Sequence, residues 1–174
     1  MNFSVEKSIA LLERTPATVK ALLQGIPEDW IHCNEGENTW NPYDIIGHYI
    51  HGEKTDWVPR MELILSGNPD KHFVPFDRFA QYNDSKGKTL TELLVEFGRL
   101  REKNIDIVRS KNLSENDLVK KGIHPKFGEV TLAQLLSTWV VHDLNHIAQI
   151  SRVMAKHYAE DVGPWTEYLR ILQW

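Results

Sequence analysis

Two histidines four residues apart, His142 and His146 in WVVHDLNHIAQI, are the strongest chemical signal in the chain. On an α-helix such residues project from one face about a turn apart, so their imidazoles can chelate one metal ion. At about 100° per residue, Leu135, Trp139, His142, His146 and Val153 fall on or near one side, which sets the pair within a core-facing stripe. Imidazoles in a core need partners; a metal ion supplies them, and so would protein groups around satisfied core histidines. The zinc-peptidase pattern HExxH is absent, because Asp143 and Leu144 follow His142 and the general-base glutamate is missing. Asp143 itself, about 100° round from His142, is placed to orient a ligand or to serve structure. A third ligand has to come from elsewhere.

The segment WNPYDIIGHYIHGE offers His48 and His51, and a site built between facing helices would take one of them. Ile45, Ile46, Tyr49 and Ile50 centre an apolar face with His48 on its flank and His51 about 60° further toward solvent, which favours His48 without deciding the matter. His51, with His32, His72, His124 and His157, is expected to be a surface imidazole. Glu53 and Arg60 fall near the centre of the same inner face if the helix is regular, and buried charges there need partners. Glu53 is therefore the candidate catalytic group, as a proton shuttle or an acceptor for an imidazole; an ion pair with Arg60 is the reading placed ahead of these. Gln149, one turn past His146, orients a ligand or caps a polar pocket, while Tyr49 and Trp139 read as core packing.

Four long helices must position these groups. The first covers about residues 4–24, with Val5, Ile9, Leu12, Val19, Leu22 and Leu23 at helical spacing and Gly25 and Pro27 ending it. Thr15 and Pro16 either restart it as cap and first-turn proline or kink a continuous helix. The second opens at Asn41 and Pro42 and runs to Gly67, with a bend expected at Pro59. The third starts at Thr89, where Glu92 completes a capping box, and fades near Asn112; Leu93, Leu94, Phe97, Leu100 and Val108 form its stripe. The fourth starts at Thr131 with Gln134 as box partner and reaches about His157. A short terminal helix is expected in PWTEYLRILQW, and a small hairpin around Gly128 in HPKFGEVT. The connection from Ser66 to Lys88 is long for a bundle loop and rich in aromatics (Phe73, Phe76, Phe79, Tyr82), so it either crosses the bundle or lids something. The fold class is all-α: one four-helix-bundle domain over residues 1–174, with no repeat or linker.

Composition narrows the function classes. The 174 residues are 41% hydrophobic and 25% charged, the balance of an ordinary globular chain. Twenty Lys and Arg against 24 Asp and Glu leave a net charge of −4, so no overall positive field exists to hold nucleic acid. The lone Cys33 makes no intramolecular disulfide and cannot supply the thiolates of a closed structural zinc site. MNFSVEKSIALLERT lacks the pattern of a signal peptide, and no uncharged apolar run reaches the roughly 18 residues of a membrane span. A cytoplasmic location is expected, with no membrane partner.

The sequence resembles the DinB-like (YfiT-like) superfamily of metal-binding four-helix proteins. The resemblance runs over nearly the whole chain and is carried by LLERTPATVKALL, by Trp40 with His48 eight residues later and Glu53 five beyond, by HPKFGEVTLAQLL, and by WVVHDLNHIAQISRV followed by VGPW. It implies a bundle in which one histidine of the second helix and the HxxxH pair hold a divalent ion; carried over, the ligands are His48, His142 and His146. Characterised relatives include enzymes that transfer or isomerise with mycothiol or bacillithiol, so the resemblance implies a small thiol and an electrophilic substrate as partners.

Three neutral imidazoles leave positions open on an ion, the arrangement of a catalytic site. Such an ion activates a thiol or water for attack on a small electrophile. The expected cofactor is one divalent ion, zinc or nickel first, with iron or manganese also compatible. The alternative is a non-catalytic metal-binding stress or interaction protein of the same fold. A homodimer is compatible with the aromatic edges such bundles expose.

Overall fold

A computed structural model of the protein describes residues 3–173. The first bundle helix consists of α1 (Val5–Leu12) and α2 (Thr15–Leu23), and after a short α3 (Glu28–His32) the second consists of α4 (Pro42–Thr55) and α5 (Trp57–Leu65). The third is α7 (Leu90–Ser110), reached through a one-turn α6 (Gln81–Asp84). A one-turn α8 (Glu115–Leu118) and a hairpin of β1 (Lys121–His124) and β2 (Gly128–Thr131) lead into α9 (Leu132–Lys156), the fourth. Within the bundle α4 packs on α7 and α9, α1 on α9, α2 on α7 and α5 on α9. None of the described helices is long and apolar enough to cross a membrane.

Local chemistry sets the helix starts. Asn41, Thr89 and Thr131 each form a full capping box, the partner side chains being Asp44, Glu92 and Gln134. The two prolines act on the carbonyls four residues upstream, which they cannot bond and whose space they crowd. Pro59 therefore breaks the second helix three residues before itself, at Asp56 (φ −111°, ψ −73°). Pro16 sits in the first turn of α2, yet Thr15 is no cap: Arg14 keeps helical angles and makes no side-chain cap bond, so the first helix kinks instead of restarting. The Leu12 carbonyl that Pro16 cannot bond accepts from Arg101 Nη1 at 2.8 Å.

The hairpin forms where HPKFGEVT suggested it, with antiparallel pairs from Lys121↔Thr131 to His124↔Gly128 and Gly128 at φ +71° closing the turn. Its strand β1 also pairs with the long connection: the Phe73 N–H donates to Ile123 O and the Ile123 N–H to Lys71 O, both at 2.9 Å. Gly122 makes this possible, because a Cβ there would sit 2.4 Å from the buried Phe73 ring. The connection is thus tied down, and it lies over the end of the bundle where the histidines are: Phe76 makes edge contacts with His48 and His51. The Tyr43 hydroxyl shares its one proton between Ser85 O at 2.6 Å and Lys88 O at 2.7 Å, anchoring the connection's far end.

The C-terminal segment differs from the expected α-helix. It forms two 3₁₀ turns, Gly163–Tyr168 and Arg170–Leu172, the second touching α9, and neither buries a residue fully. Gly163 and Pro164 at its start favour such short turns over a sustained helix. Trp174, the last residue of PWTEYLRILQW, lies outside the described residues. The core has two apolar clusters, one around Trp57, Met61, Ile105, Leu132 and Trp139, the other around Val19, Ile45, Ile46, Leu93, Phe97 and Ile150. Both residues read as core packing, Trp139 and Tyr49, are buried in them.

Candidate metal centre

Two helices deliver the three imidazoles. In α4 the run Ile45 to Ile50 is buried throughout, so His48 stands on a wholly covered stretch of helix; in α9 His142 and His146 take the place in the inner stripe that Leu135 and Trp139 hold a turn or two earlier. His48, His142 and His146 each offer one nitrogen, and these nitrogens lie within 4.8 Å of one another. His48 Nε2 and His142 Nε2 are 3.0 Å apart, and the ring centroids of His142 and His146 are 4.4 Å apart. Among the described residues this is the one group of three or more potential ligands so clustered.

Aromatic rings fence the group. Trp40 lies against His48 and His146, Tyr49 and Trp57 meet His142 edge-on, and Phe76 covers His48. Burial among these rings disfavours the imidazolium form: it pushes His48 down to about 2 and His146 to about 4, with the neighbouring histidines adding repulsion. Both are therefore neutral at pH 7 and keep a lone pair. For His146 the tautomer follows from its partner, because Gln149 Oε1 lies 2.7 Å from Nδ1 and can only accept. The proton is on Nδ1, and Nε2 is left to ligate. His48 Nδ1 and His142 Nδ1 are buried without a hydrogen-bond partner, and Asp143 Oδ1 at 3.9 Å from the latter is beyond bonding distance.

This donor set fits a divalent ion. Three imidazoles converge, one has its tautomer fixed from behind, and the closest nitrogen pair consists of two Nε2 atoms of which only one can donate to the other.

The other predicted residues fall elsewhere. Glu53 does not pair with Arg60 and does not line the cavity in front of the histidines. Its Oε1 accepts from Arg101 Nε at 3.0 Å, Arg101 Nη2 at 2.7 Å and Trp139 Nε1 at 3.2 Å, and its Oε2 accepts from Asn104 Nδ2 at 2.8 Å. Arg101 also holds both carboxylate oxygens of Asp143, at 2.5 and 3.1 Å, so Asp143 is a structural anion beneath His142. Burial raises the Glu53 carboxyl, against the pull of Arg101, and the two carboxylates keep Arg101 cationic against its own burial. Arg60 instead pairs with Asp56 one turn back, Nε to Oδ1 at 2.5 Å, because the break at Asp56 rotates α5 relative to α4. His51 is half-buried, not a solvent-facing imidazole, with Nδ1 3.2 Å from Asp84 Oδ2. His124 is half-buried too and lines the cavity, whereas His32, His72 and His157 are exposed as expected.

In front of the imidazoles opens a cavity of about 680 Å³, walled by α4, α5, α9, the long connection and the hairpin turn. Trp40, Trp57, Phe73, Phe76 and Phe127 supply its apolar surface, and Asp56, Arg60, Arg78, Lys126 and Asn145 its polar points.

The DinB superfamily matches residues 11–150, most of the chain, and the three histidines lie inside that span. The chain belongs to the DinB superfamily. No curated protein matches it. Among solved structures it is similar to YfiT from Bacillus subtilis, described as a probable metal-dependent hydrolase with an unusual four-helix bundle topology; the match has a TM-score of 0.75, 20% identity and covers 90% of both chains. That likeness is one of fold.

Arg101, Asn104, Arg78 and Asp56 are the residues near the site that sequence reasoning missed. Arg101 had a signal: with Leu94, Phe97, Ile105 and Val108 it continues a three-and-four spacing, so it stands on the buried stripe of α7 where an arginine must find anions. Asn104 adjoins it on the same inner side. Arg78 sits in an irregular segment whose path only the tertiary structure gives.

Proposed function

We propose that His48, His142 and His146 hold one divalent ion and that this DinB-superfamily protein is a metal-dependent enzyme acting on a small electrophile in the adjoining cavity. The observation that carries the reading is the convergence of three imidazoles on that cavity, with no fourth protein ligand in the cluster to close the coordination. When bound, a divalent ion in an open site lowers the pKa of a water or thiol bound to it and so provides a nucleophile at neutral pH. The chain's own residues do the rest. Gln149 orients His146, Trp40 and Phe76 exclude water from the rings, and the aromatic walls hold the apolar part of a substrate against the reacting end.

Water as nucleophile makes the protein a hydrolase, the activity ascribed to YfiT, whose fold it shares. A low-molecular-weight thiol is the second reading, and one observation favours it: the carboxylate that lines the cavity, Asp56, is already bound by Arg60, so no free carboxylate base stands beside the histidines among the described residues. A thiol, more acidic than water before it binds, would release its proton to solvent through the open cavity with less need of such a base. Both readings are tested together. Metal content by plasma mass spectrometry is expected to give about one ion per chain in the parent and none in the H48A/H142A/H146A variant. The loaded parent is then offered an activated ester, an amide and an epoxide, each with and without cysteine. Turnover without cysteine supports hydrolysis and turnover only with cysteine supports thiol transfer; metal retained by the variant would sink the proposed site.

A further inference from the structure

The charge of the cavity runs against that of the chain. The whole sequence carries a net charge of −4, but the cavity lining contains three cations, Arg60, Arg78 and Lys126, and one acid, Asp56. Asp56 is spent on Arg60, Nε to Oδ1 at 2.5 Å, and Arg60 is further held by the Val74 carbonyl and the Phe73 ring. The side chains of Arg78 and Lys126 make no hydrogen bond or ion pair to any described residue; the Lys126 ammonium only lies over the Phe127 ring at 5.7 Å. They also come from different walls, Arg78 from the connection after α5 and Lys126 from the hairpin turn. Arg78 lines the cavity together with the three imidazoles. Lys126 lines it at the hairpin beside His124, where it and Arg60 add to burial in disfavouring protonation of that imidazole. Two unpaired cations left in a largely aromatic cavity of an acidic protein are a binding device: the local potential concentrates anions, and a guanidinium beside low-dielectric walls holds an oxyanion more strongly than it would in water.

We infer that the cavity selects small aromatic or apolar molecules carrying an oxyanion, a carboxylate or phosphate, which Arg78 and Lys126 bind while the rest of the molecule lies on the Trp57, Phe76 and Phe127 side. This rests on the proposed enzymatic reading for its use but not for its test. Binding of phenylacetate, phenyl phosphate and the neutral phenylacetamide is measured by calorimetry on the metal-loaded parent, on R78A/K126A and on H48A/H142A/H146A. The anions are expected to bind the parent about tenfold or more tighter than the amide. That preference should shrink as salt is raised, disappear in R78A/K126A and survive in the triple-histidine variant. Equal binding of amide and anions, absence of binding by all three probes, or an unchanged preference in R78A/K126A would each overturn the inference. A preference lost only with the histidines would assign the anion to the metal ion, overturning the role of Arg78 and Lys126 while leaving the proposed function in place; metal retained by the triple variant with the anion preference intact would do the reverse.

Discussion

The Glu53–Arg101–Asp143 layer and the histidine layer adjoin at Asp143 and His142 in the interior of one bundle, and they treat their polar atoms in opposite ways. In the first, Arg101 makes five short contacts, two to Glu53, two to Asp143 and one to the Leu12 carbonyl, as many as a guanidinium has N–H groups. Asn104 and Trp139 take up what remains of Glu53. In the second, two ring nitrogens have no partner and two others face each other. A buried network that is complete has no capacity left for a ligand and acts as structure; one that is incomplete costs stability unless something binds. The carboxylate singled out in the sequence, Glu53, belongs to the complete layer, and chemistry is assigned to its neighbour.

The sharpest way to break this comparison is to remove Arg101. Arg101→Met leaves two buried carboxylates without their cation, and a loss of about 3–5 kcal/mol in urea unfolding is expected. The H48A/H142A/H146A variant, measured without metal, should lose less than half as much, because it deletes groups that were already under-satisfied. Equal penalties for the two would mean that the histidines are as fully partnered as Arg101, and the contrast would fail.

Acid separates the layers next. In metal-free protein His48 and His146 are held to about 2 and about 4, against about 6.5 for an unfolded imidazole. These are bases with depressed values, so as pH falls the unfolded chain takes up their protons first. Their stabilising contribution is complete above about pH 6.5 and is lost as pH drops toward 4, at roughly 1.4 kcal/mol per pH unit for each imidazole. Urea midpoints followed from pH 7 to 4 should fall accordingly, and His146→Gln should flatten the slope. A parent curve level across this window would show that the rings are already protonated or open to water.

How far the two layers were legible beforehand differs for the same reason. His142 and His146 announced themselves by spacing within a single helix, whereas periodicity only favoured His48 over His51 and the family resemblance supplied it as third ligand; capping boxes at Asn41, Thr89 and Thr131 fixed where three bundle helices begin. The ion network could not be read as pairs, because its members stand 48 and 42 residues apart on different helices. Nearest-in-sequence reasoning joined Glu53 to Arg60, and the break that Pro59 imposes at Asp56 turned Arg60 away. The cavity walls were equally hidden, since Arg78 and Lys126 lie in irregular chain that local periodicity does not describe.

Within the histidine layer, Gln149 tests whether positioning alone matters. Its Oε1 accepts from His146 Nδ1 at 2.7 Å. Gln149→Leu is expected to weaken metal binding 10- to 100-fold, read by competition with a chromophoric chelator, while the unfolding midpoint of the metal-free protein barely moves. Gln149→Glu, which keeps an acceptor at the same place, should restore most of the affinity. Loss of affinity in both variants would mean that the amide's shape is needed and not its oxygen.

The smallest effect lies where the complete layer meets the backbone. Pro16 leaves the Leu12 carbonyl without its helical donor, and Arg101 Nη1 supplies one at 2.8 Å. Pro16→Ala returns an N–H that can bond the same oxygen, which has lone pairs for both donors. It also loses the restriction proline places on the unfolded chain, an opposing term of about 0.4–1 kcal/mol, so the single variant should change stability little. The coupling is informative: Arg101→Met in the Pro16→Ala background is expected to cost about 0.5–1 kcal/mol less than in the parent, because the carbonyl is no longer abandoned. Strict additivity in that double-mutant cycle would show that Arg101 stabilises the bundle through its two carboxylates alone. The proline would then be a kink with no part in fixing the arginine beneath the histidines.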